Sequence, residues 1–193
     1  MPAEAAQTEP DEIHALVEQA RRGDLPAFET LMRRHERLVM MTALRLLNGN
    51  LADAQDAAQT VFLRMHRYLG EFRGGTNFAA WLYRMTVNVC HDLNRKAKNR
   101  AEVSISTSDD LHTAPAPPDG AIDDARRRRM LSDGLAVLPE KERAAIVLRD
   151  IEGLRTREVA EILGSSEATV RSQISSGRRK IREFVLKIQG RRK

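Results

Sequence analysis

The stretch TREVAEILGSSEATVRSQISSGRRKIR, residues 156 to 182, decides how the second half of this chain folds. Thr156 is placed to cap a short helix whose Val159, Ile162 and Leu163 face inward, and Gly164 can take the positive φ that ends it. Ser165 and Ser166 then offer a new cap. From Glu167 onward, Val170, Ile174, Ile181, Val185 and Ile188 recur at helical spacing on one face. The opposite face carries Thr169, Arg171, Ser172, Gln173, Ser175, Ser176, Arg178 and Arg179. Ala160, four residues before Gly164, is small enough to let the two helices cross closely, and the whole reads as a helix-turn-helix. An apolar back with a front of Arg, Gln and Ser suits the major groove, where Arg pairs with guanine and Gln with adenine. Gly177 runs against the pattern, because glycine inside a helix costs about 1 kcal/mol relative to alanine.

Outward from this motif, helical periodicity resumes near Asp123, pauses at Leu138-Pro139 and continues through Ala145, Val147, Leu148 and Ile151 to a stop at Gly153. Residues 100 to 122 lose that periodicity, hold Pro115, Pro117 and Pro118, and have no Lys or Arg after Arg100, so they read as a linker. Residues 1 to 10 lack large apolar side chains except Met1 and are expected to fray.

Between these segments the first half is all helical in pattern. A short helix spans Asp11 to Arg22, and a second runs from Pro26 to Leu47, where Asn48-Gly49-Asn50 ends it. The second is apolar on two faces, with Phe28, Leu31, Met32, Val39 and Leu46 on one and Leu38, Met41 and Leu44 on the other, as a central helix should be. A third carries Ala54, Ala58, Val61, Phe62, Met65 and Leu69 on a single face, and a fourth turns Phe78, Trp81, Leu82, Met85, Val89 and Leu93 inward. Seven of the eight aromatic residues lie between Phe28 and Tyr83, which marks residues 11 to 99 as a domain with its own core. The fold class is therefore all-α: two helical domains joined by a flexible acidic linker, the second (residues 123 to 188) containing the helix-turn-helix, with a basic tail at 189 to 193.

Charge follows the same divisions. Lys and Arg less Asp and Glu give −4 over residues 1 to 25, +6 over 26 to 100, −6 over 101 to 125 and +9 over 126 to 193, within an overall +5. Two basic blocks flanking an acidic one suit a polyanionic partner, since each cation that neutralises a phosphate releases condensed counterions. The run Arg126 to Arg129 reads as a solvated face that can also touch DNA or protein. The single cysteine, Cys90, can make no internal disulfide, and no N-terminal apolar stretch serves as a signal peptide or membrane span, so a cytoplasmic protein is expected. The five histidines are scattered and offer no converging metal ligands. Without a phosphate-binding loop, nucleophile elbow or paired carboxylates, the residues point away from an enzyme and from any cofactor.

Four segments together resemble the extracytoplasmic-function sigma factors of bacteria, in the sigma-70 family: DAQDAAQTVFLR at 53 to 64, FRGGTNFAAWLYRMTVN at 72 to 88, LPEKER at 138 to 143, and residues 164 to 182. The resemblance extends from about Asp11 to Ile188, with both domains and the acidic linker in that family's order. It implies a dissociable subunit of RNA polymerase. Domain 11–99 would correspond to sigma region 2, which docks on the β′ clamp helices and opens the minus-10 DNA. Domain 123–188 would correspond to region 4, which reads the minus-35 element and meets the β flap.

By this resemblance, Asp53, Gln55, Asp56, Gln59, Phe62 and Met65 would lie on the polymerase-docking helix. Gln55 and Thr60 stand there where the family usually carries Glu, which makes the face less acidic. Arg73, Thr76, Asn77, Phe78 and Asn88 would form the pocket for a base flipped from the non-template strand, with Arg84, Arg95, Lys96 and Lys98 meeting phosphates. At its spacing Trp81 reads as core packing rather than base stacking. In the minus-35 reader, Arg171 and Ser172 match the family, whereas Gln173, Ser175 and Ser176 replace positions that often carry Arg or bulky residues. If the base-reading Arg is missing at 176, either Arg178 or Gln173 substitutes, or the specificity has changed. Linker residues Asp109, Asp110 and Asp119 could mimic RNA phosphates in the polymerase cleft or belong to a plain tether. An anti-sigma factor is a further implied partner, one that could hold the protein at the membrane. The competing reading is a stand-alone helix-turn-helix regulator with an N-terminal effector or dimerisation domain.

Overall fold

The computed structural model describes residues 5–72, 77–103 and 121–190, with side chains described for 12–72, 77–99 and 129–190. The described residues form eight α-helices and no strand: α1 (Ala5–Arg21), α2 (Leu25–Leu46), α3 (Leu51–Tyr68), α4 (Phe78–Val103), α5 (Ala121–Ala136), α6 (Glu140–Ile146), α7 (Thr156–Leu163) and α8 (Glu167–Gly190). A 3-10 turn at Leu69–Glu71 follows α3, and a π turn at Val147–Ile151 follows α6.

Local chemistry fixes most of the boundaries. Asp24 Oδ1 accepts from Ala27 N at 3.2 Å and Pro26 sits in the first turn of α2, where its missing N–H costs nothing. Asn48 (φ 57°) and Gly49 (φ 80°) end that helix in the left-handed region, and Asn50 Oδ1 caps α3 through Asp53 N at 3.2 Å. Asn77 Oδ1 accepts from both Ala79 N and Ala80 N, so it opens α4. α1 begins at Ala5, earlier than the expected Asp11. Thr156 is the first residue of α7 rather than its cap; Glu158 Oε2 instead accepts from Arg155 N at 2.7 Å. The side chain of a glutamate in the first turn satisfies the free donor and complements the helix dipole at the same time.

The first four helices bury Leu31, Val39, Val61, Met65 and Leu82 completely, around the two-faced α2. The sequence separates this unit from the second, yet the buried apolar residues run as one connected core from Val17 to Ile174. α4 shows why. Beyond its expected inward stripe it also buries Tyr83, Val87 and Cys90, and α7 packs on this helix. α2 likewise meets α5, α6 and the π turn.

Polar groups tie the two units together. Glu152, following the π turn, accepts from Tyr83 Oη at 2.8 Å and from Thr42 Oγ1 at 3.4 Å, and pairs with Arg45. Burial and this acceptor push the Tyr83 phenol well above its ordinary pKa, so it stays a donor. Arg143 is 7% exposed and donates to Leu135 O (3.0 Å), Leu138 O (2.9 Å) and, across the unit boundary, Leu46 O (3.0 Å). Its guanidinium thus serves the Leu46 carbonyl at the end of α2, beyond that helix's own ladder, and adds a second donor to Leu135 O, which also accepts from Leu138 N at 3.1 Å.

Replacing Arg143 with alanine takes this donor from the Leu46 and Leu138 carbonyls, at about 1 to 3 kcal/mol for each such group, while Leu135 O keeps the Leu138 N–H at 3.1 Å. Urea denaturation of R143A should show a loss of at least about 2 kcal/mol, and R143K should recover only part of it, because an ammonium lacks the planar fork. An unchanged midpoint for R143A would remove this side chain from the role.

Candidate nucleic-acid interface

The helix-turn-helix is α7, the turn at 164–166, and α8. Gly164 takes φ 59°, and Ser165 N reaches back to Ala160 O at 2.9 Å, closing α7 with the six-to-one bond of a Schellman end. Ser166 Oγ accepts from Thr169 N at 3.1 Å and starts α8. Val159, Ile162, Val170 and Ile174 are buried between the two helices and α6.

Packing divides the polar residues of α8 into two sets. Thr169, Arg171, Ser172, Ser175, Arg178 and Arg179 are exposed, as is Arg182 further along. Gln173 and Ser176 are half-buried on the flank that meets α6: Ser176 Oγ donates to Glu142 Oε1 at 3.1 Å, beside Lys180 Nζ at 2.8 Å from the same oxygen. Gln173 Oε1 is buried with no partner among the described residues. Gly177, costly by helix propensity, lies on the same side of α8, buried against α6. An added Cβ would stand 2.8 Å from Ile146 Cγ1, so only glycine allows α8 to approach α6 this closely.

The arginines of the exposed face differ in their restraints. Arg171 pairs with Glu167 at 2.6 Å and Arg179 with Glu183 at 3.3 Å, each one turn away on the same helix. Arg178 instead reaches the π turn, where Asp150 Oδ2 and Oδ1 accept from Nε at 2.9 Å and Nη2 at 2.5 Å. This partner raises the Arg178 pKa further.

On α4, Trp81, Arg84, Asn88 and Arg95 share one face at spacings of three, four and seven residues. Arg84, Asn88, Arg95, Lys96 and Lys98 are exposed; Arg95 pairs with Asp92 at 3.3 Å and Lys98 lies 3.7 Å from Glu140. Arg73 and Thr76 lie outside the described residues. The two ends of their loop are held together: Phe72 and Phe78 meet edge to face at 5.2 Å, and both touch the half-buried Trp81 at 5.3 and 5.5 Å. Phe78 is therefore a 5%-exposed core residue at the foot of the loop, not one that faces solvent. His35 packs edge-on against it at 5.0 Å, and burial lowers the His35 pKa, which keeps the ring neutral. Asn77 is exposed, with its side-chain oxygen committed to the α4 cap.

The α3 residues also separate. Asp53, Gln55, Asp56 and Gln59 are exposed and Phe62 is half-buried, whereas Met65 is fully buried and cannot reach a partner protein without unfolding the core. Leu63 had not been singled out, yet it is 67% exposed on the same face as Asp56 and Gln59. Its sequence signal is phase: it falls outside the stripe of Ala54, Ala58, Val61 and Met65. Asp150 was missed because nothing in its spacing links it to α8. Among the described residues no three His, Cys, Asp or Glu side chains converge as metal ligands, and no helix is long and apolar enough to cross a membrane.

Comparison with known proteins adds a family frame to this geometry. Sigma-70 region 2 matches residues 31–100, and Sigma-70, region 4 matches residues 128–181. The chain is 36% identical over 164 residues to the ECF RNA polymerase sigma factor SigE of Mycolicibacterium smegmatis, covering 84% of this chain and 63% of that one. It is 32% identical over 176 residues to the RNA polymerase sigma-H factor of Pseudomonas aeruginosa (86% and 90% covered) and 30% identical over 174 residues to the ECF RNA polymerase sigma-E factor of Escherichia coli (86% and 90% covered). Among solved structures, CnrH in complex with the cytosolic domain of CnrY superposes with a TM-score of 0.66 at 26% identity, over 90% of this chain and 97% of that one.

Gly177→Ala sets a gain in helix propensity of about 1 kcal/mol against overpacking of about 1 to 3 kcal/mol. Ile146 is 3% exposed and has nowhere to move, so the overpacking should win. Thermal melting of G177A should fall below the parent, and beside Ile146→Ala, which removes the contacting Cγ1, Gly177→Ala should cost less than it does beside Ile146. A melting point raised by G177A alone would contradict the close approach.

Proposed function

This chain belongs to the extracytoplasmic-function sigma factors of the sigma-70 family, and on that basis we propose that it is an alternative initiation factor, without catalytic chemistry of its own. It binds core RNA polymerase, brings it to promoters through minus-35 and minus-10 elements, and promotes their opening. The observation that carries this reading is the pairing of two nucleic-acid faces in one chain: the Arg171, Ser172, Ser175 and Arg178 face of α8, and the Arg84, Asn88 and Arg95 stripe of α4. A stand-alone regulator needs only the first.

Each face has a physical role. The α8 face offers guanidinium forks and hydroxyls to base edges in the major groove, while Thr169 and Arg179 stand at its margins, toward phosphates. On α4, Asn88 presents an amide that can pair with the edge of an extruded base, and Arg84, Arg95 and Lys96 supply positive charge for a single-stranded backbone. Arg73, Thr76 and Asn77 belong to the same pocket by family pattern. The polymerase is met by the exposed α3 face, where Leu63 stands among Asp53, Gln55, Asp56 and Gln59 as an apolar anchor within a polar rim.

The packing of the two units bears on regulation. Elements about 25 base pairs apart are separated by on the order of 85 Å at ~3.4 Å per step, whereas a compact chain of this length has a radius of gyration of roughly 16 Å. Reading both elements therefore requires the Glu152 and Arg143 contacts between the units to part. CnrH, similar over most of its length, was solved with the cytosolic domain of CnrY, and for this chain an anti-sigma partner seated across both units would keep those contacts closed.

Run-off transcription with bacterial core polymerase and a promoter library tests the function. The chain should confer promoter-dependent initiation; tight operator binding by the isolated chain, with no effect on core polymerase, would establish the stand-alone regulator instead. Within that assay, Leu63→Asp should weaken binding to core polymerase by on the order of tenfold or more, as loss of an apolar anchor does. Asn88→Ala should leave the closed complex intact and slow opening; equal opening rates would take Asn88 out of the pocket.

A further inference from the structure

Two candidates stood for the base reader that replaces an arginine at position 176, and the geometry treats them differently. Gln173 is turned half inward against α6, with its carbonyl oxygen buried. The Arg178 side chain is 59% exposed and is held by a partner from another element. That partner, Asp150, lies in the π turn between α6 and α7, where the Glu152 N to Val147 O bond (2.9 Å) marks the extra residue in the turn. Asp150 is itself at the surface, but its side chain is 27% exposed beneath the guanidinium and its backbone is fixed by the turn.

The atoms used matter. A guanidinium carries five N–H donors in a rigid plane. Asp150 engages Nε and Nη2, which is the side edge of the fork. Both protons of Nη1 and the second proton of Nη2 remain, so the end of the fork keeps the parallel pair of donors that matches guanine O6 and N7. The carboxylate also cancels the arginine's charge locally and would repel a phosphate, so the pair suits a base edge better than the backbone. Among the described residues, Arg171 and Arg179 pair with partners on their own helix, the flexible side chains of Glu167 and Glu183. Arg178 lies two turns beyond Arg171 on the same face, about 10 Å along the helix, which is about three base-pair steps of ~3.4 Å.

We propose that Asp150 is a specificity-determining positioning residue of the minus-35 reader: it fixes Arg178 by the side edge of its guanidinium and so directs the end of the fork at one guanine. This rests on the promoter-reading function above.

The test uses holoenzyme reconstituted with bacterial core polymerase and run-off transcription from promoters randomised across the minus-35 element, with transcripts counted by sequencing. Asp150→Asn should flatten the preference at a single G·C position by on the order of tenfold and leave preferences elsewhere intact. Arg178→Ala should flatten the same position, the double variant should be no flatter than Arg178→Ala alone, and Asp150→Glu should restore part of the preference. Freeing Arg178 from its carboxylate should also steepen the dependence of promoter binding on salt concentration, which a purely structural ion pair would not do. Arg178→Lys, on an exposed side chain that the fold does not need, keeps the charge without the planar fork and should lose the same preference.

Asp150→Asn with the preference profile of the parent, or with equal losses on every sequence, would overturn the assignment; so would Arg178→Lys with an intact preference. Failure of the parent chain to direct any promoter-dependent transcript would overturn the initiation-factor reading itself, a result distinct from an unchanged Asp150→Asn profile.

Discussion

A buried guanidinium at the meeting point of three helices organises this molecule. Arg143 stands in the first half of α6, yet its donors serve carbonyls at the end of α5, in the turn before α6 and at the end of α2. Helix C-termini carry partial negative charge and unpaired acceptors, so a cation with a planar array of donors answers both needs at once. Burial lowers its pKa, as it must for a cation out of water, but an arginine has enough margin to stay charged, where a lysine would be closer to losing its proton. The α5–α6 corner and the seat of the second unit on α2 both follow from it.

Around that point the second unit closes on the first, and the polar geometry explains why the contact can be specific without being permanent. Glu152 gathers Arg45, Tyr83 and Thr42, and Glu140 meets Asn94 at 3.1 Å on another part of α4. These are partly solvated hydrogen bonds and ion pairs, whose loss can be offset by water. Apolar burial contributes too: Tyr83, Val87 and Cys90 face away from the core stripe of α4. The Cys90 thiol is pushed up to about 12 by burial first and by the nearby Glu140 charge second, which makes it an inert packing group and not a redox sensor. An interface of mixed character suits the proposed separation of the two halves on a promoter.

The same packing sorts the residues proposed to meet nucleic acid. Periodicity placed eight polar side chains on the front of α8, but α6 covers part of that front, so Gln173 and Ser176 became half-buried flank residues, and Ser176 is tied to Glu142. Phase alone could not reveal this, because a helix of 3.6 residues per turn has an intermediate sector that either solvent or a neighbour can occupy. Gly177 belongs to the same explanation: its poor helix propensity looked like a defect, and the approach of Ile146 turns it into a requirement. On α3, in the reverse direction, Met65 proved to be core while Leu63 proved to be surface, although both are apolar and only two residues apart.

Sequence by itself determined the all-α class, the positions of the helices, the glycine and serine punctuation of the helix-turn-helix, and the family, because these depend on interactions a few residues apart or on motifs kept in order. It also predicted that Trp81 would pack. Only the tertiary structure decided that the two helical units share one core, that Arg143 bridges them, that Glu158 rather than Thr156 caps α7, and that Asp150 holds Arg178. Three of these four join residues distant in the chain, Leu46 with Arg143 and Asp150 with Arg178 among them, whose proximity is set by helix packing and leaves no trace in local spacing. The fourth, the α7 cap, was within reach of the sequence, but two capping partners were available there and the backbone of the turn chose between them.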